Sequence, residues 1–510
     1  MKLSSVYACA AFLAATAAGG EVVTSAKVQN DITEVGYVVH SDPPKLALST
    51  SLADNGSRLM KNLKELDQIA RDNGGNRAFG LPGFEASVKY VSERINRFPR
   101  TVDTWIQDFP AFFSKVESIS FKVGETDYYV YGLAYSPSTP PEGVTLPLVL
   151  GPAANVSCSV DAYAGFDVKG KIVLLERGPQ CPTGGTLAGR IRPAKLAGAS
   201  NVIIFNNSPV KVTGGTLSAP DPEGFVSSGF INQVDGLALR ERLLAGEKLT
   251  AYFQHTQLIE TRITQNVFAE TKGGDPNNVI ILGAHLDSVQ AGPGINDDGS
   301  GTSLILELLA ALEKCEVKNK IRFAWWGAEE NGLFGSIYYT SHLNQTEIDN
   351  ILLYLNFDMV SKGYFGVFDG DGSTHGLAGP PGSEVIEKLF VDDLTSKGIT
   401  VTPVPFTGSS DYARFMDALK KPIGGLHTGT GVAEDPCYHQ ACDDYSNPNS
   451  TILTVNAKSA AHVLAVLAQE GHNLIPKNKT STPSRQGGAD FVHWTVLEGE
   501  RHVGTCGHDV

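Results

Sequence analysis

Two amphipathic stretches stand out early in the chain. In SRLMKNLKELDQIA (57–70) and FEASVKYVSERI (84–95) apolar residues recur every three or four positions, which predicts two helices joined by the Gly-rich turn NGGNRAFGLPG. Extended segments such as SISFKVG and DYYVYGLAY follow, and then the Pro-rich run SPSTPPEG (136–143) marks a boundary. Beyond it VTLPLVLG, GKIVLLERG and NVIIFNN read as short buried strands around a helix-like RIRPAKLAGA, an α/β-type insertion ending near residue 256. From residue 278 to about 470 strand and helix patterns alternate, which predicts a mixed, mostly parallel sheet with helices on both faces. A second Pro-, Ser- and Thr-rich break over 475–485 separates a C-terminal tail.

Three strands of the second α/β segment end in residues that bind metals. NVIILGAH ends in His285 with Asp287 two positions on, IRFAWWGAEE in Glu329 and Glu330, and LLYLNFDM in Asp358. Sites in open α/β sheets lie outside the carboxyl ends of the strands, so these positions should meet in one crevice. The loop GPGINDDGSG brings Asp297 and Asp298 to the same edge, just before a helix expected from Gly299. Late in the chain CYHQAC sets His439 between Cys437 and Cys442. Six carboxylates gathered in one crevice would repel one another without cations. Mixed His and carboxylate donors suit Zn²⁺, and two zincs sharing a carboxylate would make a hydrolytic centre. Each piece alone has an ordinary reading: HxD as a structural pair, Glu-Glu as a solvated helix start, Asp-Asp-Gly as a turn. Together and in this order they point to metal-dependent hydrolysis.

Composition narrows the setting. The chain has 510 residues, which predicts more than one core at roughly 100–200 residues per domain. Hydrophobic residues at 42% and charged residues at 19% are too apolar for a disordered chain. The net charge of −14 argues against an electrostatic grip on nucleic acid or on an anionic membrane. Lys2, an apolar run over 6–15 and the ending Ala15-Thr16-Ala17 have the build of a secretory signal peptide, residues 1–17. Residues 18–56 are then a propeptide or an N-terminal extension. Loss of Cys9 with that leader leaves six of the seven cysteines, an even number that suits an oxidising compartment. The proposed pairs are Cys158 with Cys181 and Cys437 with Cys442; the spacing leaves Cys315 and Cys506 unassigned. Sequons at Asn55, Asn155, Asn206, Asn344, Asn449 and Asn478 would be acceptors in a eukaryotic secretory path.

GAHLDS, AGPGINDDGSG, WWGAEENGLFGS, LNFDM and CYHQAC resemble the secreted two-zinc leucine aminopeptidases of fungi and bacteria, over residues 57 to about 470. The spacing Arg177-Gly178, Cys181 and a following helix and strand resembles the protease-associated domain that fungal members carry. The resemblance implies a zinc exopeptidase fold over 57–135 and 257–475, a protease-associated insertion over 136–256 and a tail over 476–510. It implies that Asp297 bridges two zincs per subunit, with His285 and Asp358 completing one site and Glu330 and His439 the other. Glu329 would be the general base and acid, Asp287 would orient His285, and Tyr438 would hydrogen-bond the tetrahedral oxyanion. The expected product is a secreted, monomeric metallo-exopeptidase acting on peptides with a free N-terminus, preferably with an apolar first residue such as Leu. One position departs from the family pattern: Ser409 stands before Ser410-Asp411-Tyr412 where members commonly have an arginine. A two-zinc carboxypeptidase and a non-catalytic receptor-like module share parts of this pattern. The first needs cationic groups for a terminal carboxylate, and the second is disfavoured by the complete ligand set.

Overall fold

The computed structural model describes residues 51–183 and 185–478. The leader and almost all of the proposed N-terminal extension lie outside them, as do Cys506 and most of the tail. The described residues divide into two compact units, one formed by 51–109 and 263–478, the other by Pro110–Arg262.

The first unit is built on a sheet whose strands are β1 (Leu249–Thr271, through its last residues), β2 (Asp275–His285), β3 (Asn319–Trp326), β4 (Ile351–Phe357), β5 (Gly366–Phe368), β6 (Thr402–Val404) and β7 (Ile423–His427). Their order is β6-β5-β7-β4-β2-β3-β1. The four central strands β7, β4, β2 and β3 run parallel, and β1 and β5 are antiparallel to their neighbours β3 and β7. Parallel central strands are covered on both faces, which is why β2 and β4 read as continuous apolar runs rather than alternating ones.

One face buries Ile280, Leu282 and Ala284 of β2 with Ile321, Phe323 and Trp325 of β3 and Leu353, Leu355 and Phe357 of β4. Against it pack α1 (Ser51–Asp72), α2 (Pro82–Ile95), α3 (Gly299–Ala311), α4 (Ser383–Ser396) and α5 (Ser450–Leu474), which supply Leu63 and Leu66, Val88 and Val91, Leu304 and Leu308, Ile386 and Phe390, and Leu464 and Leu467. These residues are spaced three or four apart, as the sequence shows over 57–70 and 84–95, and Pro82 at the start of α2 suits a first turn with no N–H to satisfy. By length and hydropathy α5 could cross a bilayer, yet its apolar side is part of this core. On the opposite face Phe268, Trp326, Tyr339, Tyr354 and Phe415 form an aromatic cluster, with Tyr354 stacked on Phe415 at 4.0 Å between centroids. Gly283 lies beneath it: a Cβ there would sit 2.0 Å from the Tyr354 hydroxyl oxygen and 2.5 Å from Trp326 Nε1.

The second unit is a smaller α/β layer. Strands Val144–Leu150, Ile172–Glu176, Asn201–Phe205 and Ser228–Ile231 are mutually parallel, flanked by antiparallel segments from 249–253 and Tyr131–Gly132. Its core gathers Leu148, Ile172, Leu174, Ile203, Phe205, Ile231 and Phe253. Cys158 and Cys181 form a disulfide here, with Cα atoms 5.5 Å apart.

Candidate active site

Strand direction explains why the site forms where it does. His285 is the last residue of β2, Glu329 follows the end of β3 by three residues, and Asp358 follows the end of β4 directly. Since β2, β3 and β4 are parallel, and Trp326 lies beside His285 in the register, all three ends open on one edge. Asp297 comes from the β2–α3 loop, and His439 from the loop closed by the Cys437–Cys442 disulfide, whose Cα atoms are 5.2 Å apart.

Asp297 sits between the two imidazoles. Its Oδ1 is 3.0 Å from His285 Nε2 and its Oδ2 3.1 Å from His439 Nε2. His439 Nε2 also lies 3.0 Å from Glu330 Oε2, and His285 Nε2 lies 3.6 Å from Asp358 Oδ1. All five side chains therefore converge. Glu329 is buried at 4% exposure, and Tyr438 stacks on His439 with centroids 3.9 Å apart. Glu330 Oε1 is buried and finds no hydrogen-bond partner, an expensive state for a carboxylate oxygen unless a cation satisfies it.

Titration follows from this crowding. Burial by itself favours neutral His285, but Glu329, Asp297 and Asp358 outweigh it and hold the imidazole well above the ordinary histidine range. His439 is likewise raised to about 10, its burial outweighed by Glu330 and Asp297. Asp297 is held low against its burial by its hydrogen bonds to both histidines. Burial and then the neighbouring carboxylates Glu330, Asp411 and Asp358 push Glu329 well above the usual carboxylate range. Burial, with Glu330 adding, lifts Asp287 to about 6. Two like charges about 4 Å apart repel by about 4 kcal/mol at an effective dielectric of about 20, so this donor set fits bound divalent cations.

The support around these residues is dense. His285 Nδ1 is 3.1 Å from the backbone carbonyl oxygen of Asp287, and the Asp287 carboxylate lies farther off at 3.7 Å. That carboxylate instead accepts the backbone N–H groups of Glu329 (3.0 Å) and Glu330 (3.3 Å). Asp287 thus ties the end of β2 to the two glutamates. Asp298 caps α3 through the N–H of Gly301 and also accepts the N–H groups of His285 and Met359, so its oxygens are committed to bracing. Gly301 is required there, because a Cβ would meet the Phe357 carbonyl oxygen at 1.9 Å.

Several supporting residues carry little sequence signal. Arg77, in the turn between α1 and α2, is fully buried and donates to the carbonyls of Leu286, Pro293 (2.8 Å) and Gly294 (2.6 Å). Asp443 accepts the N–H groups of Asn296 (2.8 Å) and Asp297 (3.0 Å), and its own carbonyl accepts Ile295 N–H, which latches the disulfide loop to the Asp297 loop. Asp435 accepts Asn296 Nδ2 at 2.7 Å. A relay runs from Trp326 Nε1 to Tyr354, from the Tyr354 hydroxyl to Asn356, from Asn356 Nδ2 to Ser410, and from Ser410 Oγ to Asp358 Oδ2 at 2.6 Å. Ser409, where the arginine is missing, has its hydroxyl 2.6 Å from that of Thr407, and Arg414 is buried in the helix Tyr412–Asp417. The only hints were a charged residue between glycines in GGNRAFG and the Asp-Asp pair after Cys442.

A parallel-stranded α/β unit with histidines and carboxylates at its strand ends fits a metal-dependent hydrolase. Residues 266–464 match peptidase family M28, and residues 144–239 match the PA domain. The chain is 37% identical over 431 residues to a probable leucine aminopeptidase 2 of Aspergillus oryzae, covering 81% of this chain and 84% of the relative. It is 35% identical to an aminopeptidase of Pseudomonas aeruginosa, covering 81% of each. The solved aminopeptidase from Aneurinibacillus sp. strain AM-1 superposes with a TM-score of 0.70 at 26% identity, covering 90% of this chain and 100% of that one. The chain belongs to peptidase family M28 and is a metallo-aminopeptidase with a PA-domain insertion.

Proposed function

We propose that the protein removes N-terminal residues, apolar ones such as Leu among them, from peptides with a free N-terminus, using two zinc ions per subunit. His285 and Asp358 would hold one ion and Glu330 and His439 the other, with Asp297 available to both. The observation that carries this reading is that the two carboxylate oxygens of Asp297 face different imidazoles, at 3.0 and 3.1 Å. When bound, the zinc ions supply Lewis-acid polarisation of the scissile carbonyl and lower the pKa of a water.

The remaining work falls to this chain's own groups. Glu329, held at its backbone by Asp287, takes a proton from the attacking water as the new C–O bond forms. It then delivers that proton to the leaving amine as the C–N bond breaks. Tyr438, kept neutral by burial among Asp297, Glu330 and Glu329, donates its hydroxyl hydrogen to the developing oxyanion. Asp287 fixes His285 through its carbonyl and the glutamates through its carboxylate. We further propose secretion as a monomer.

An amino-acyl anilide, its N-acetylated form and a peptide labelled at its C-terminus test the reading, each with and without chelator. Cleavage of the anilide alone, abolished by chelator, is expected. Release of the C-terminal label would instead indicate a carboxypeptidase, and no turnover a binding protein. Elemental analysis of the dialysed enzyme should give two zinc ions per chain.

A further inference from the structure

We propose that the folded enzyme carries N-linked oligosaccharide at Asn155, Asn344 and Asn449 and none at Asn206, the choice being set by which amide nitrogens the fold leaves free. The inference rests on the secretory passage proposed above. The modification transfers an oligosaccharyl group from a polyprenyl-diphosphate donor. The Nδ2–C1 bond forms as the C1–O bond to the diphosphate breaks, and the amide proton leaves with the diphosphate. The product keeps the amide carbonyl oxygen as an acceptor and loses one of its two N–H donors.

That asymmetry separates the sequons. Asn344 and Asn449 are helix N-caps, and a cap uses the side-chain oxygen. Asn344 Oδ1 accepts Glu347 N–H at 3.0 Å within a capping box, and Asn449 Oδ1 accepts the N–H groups of Thr451 (2.9 Å) and Ile452 (3.2 Å). Both residues are exposed, and among the described residues nothing accepts from either Nδ2. A sugar on that nitrogen leaves each cap intact. Asn155 is exposed in a turn of the second unit, and among the described residues its side chain has no partner.

Asn206 is the opposite case. It is 4% exposed, its Nδ2 donates to Ser208 Oγ at 3.3 Å and to the Val210 carbonyl at 3.1 Å, and its Oδ1 accepts Asn207 N–H at 3.0 Å. A sugar there would remove a buried donor from its acceptors and has no space beside the end of the strand Asn201–Phe205. Transfer precedes folding, so a chain modified at Asn206 does not reach the folded pool. Asn55 and Asn478 fall outside the proposal, since the Asn55 side chain and Thr480 are beyond the described residues.

The test is secretion of the full chain from a yeast host, purification of the active pool from the medium, and release of glycans by peptide-N-glycosidase in heavy-oxygen water. Each occupied asparagine then becomes a labelled aspartate identified by peptide mass. Label at Asn155, Asn344 and Asn449 and none at Asn206 is expected. Thr346→Ala, Thr451→Ala and Asn155→Gln should each raise electrophoretic mobility by one glycan step that the glycosidase abolishes. Ser208→Ala should leave mobility unchanged. Label at Asn206 in the active pool, or unlabelled Asn344 and Asn449, overturns the proposal. Should the chain stay inside the cell, the secretion reading fails; the same chain behind the host's own leader then tests the glycan pattern separately.

Discussion

Arg77 offers the sharpest test of how the site is held. Its guanidinium donates through Nε, Nη1 and Nη2 to three carbonyls of the segment between His285 and Asp297, and it is fully buried. Burial lowers its pKa, and Asp287, Asp298, Asp443 and Asp297 pull it back up; an arginine there stays charged at any working pH. In Arg77→Lys the ammonium keeps the charge but loses the planar fork, and its single nitrogen reaches one carbonyl in place of three. Two hydrogen bonds from a charged donor are then lost at roughly 1.5–3 kcal/mol each, a cost of about 3–6 kcal/mol. For a unit of this size each kcal/mol lowers the melting temperature by roughly 2–4 °C, so a fall of about 6–24 °C is expected. Because the braced segment joins two proposed zinc ligands, zinc affinity in competition with a chelating dye should fall as well. Thermal unfolding followed by circular dichroism, with and without zinc, reads both effects. A Lys variant melting within about 2 °C of the parent, with unchanged zinc affinity, would refute the reasoning and mean that water replaces the guanidinium at little cost.

Three further outcomes are expected. Glu329→Gln should retain its zinc by elemental analysis while kcat falls by roughly 10²–10⁴, the usual yield of a general acid–base group; retained turnover would remove Glu329 from the role. Gly283→Ala places a Cβ 2.0 Å from the Tyr354 hydroxyl oxygen. It should destabilise by about 1–3 kcal/mol through overpacking, and a denaturant midpoint equal to the parent's would contradict that packing. In the second unit burial lowers His255 to about 4, against about 6.5 in the unfolded chain. Between those values the unfolded state binds the extra proton, so stability should be lost as pH falls from about 6.5 toward 4, by up to roughly 3 kcal/mol. His255→Asn should flatten that part of the pH–stability curve, and an unaltered slope would assign the acid sensitivity elsewhere.

The parallel α/β architecture and the positions of the site's principal side chains were legible because both rest on local pattern. A buried parallel strand is a short apolar run, its last residue faces the open edge, and His285 and Asp358 are each such a residue or its neighbour. The first two helices declared themselves by period, and Asp297 by the glycine turn that carries it. What holds these groups at their distances is not local. Arg77 reaches the Leu286 carbonyl across a separation of 209 residues, and Asp443 reaches Asp297 across 146. Ser410 meets Asp358 across 52. Such contacts depend on how separate segments pack, which hydrophobic periodicity does not encode. The same holds for the sequons, alike in pattern, whose asparagines the tertiary structure leaves exposed at Asn344 and Asn449 and buries at Asn206 with the amide nitrogen hydrogen-bonded. The sequence determined which chemistry could assemble at the strand ends; the packing decided the distances and the bracing, because both are set by neighbours far apart along the chain.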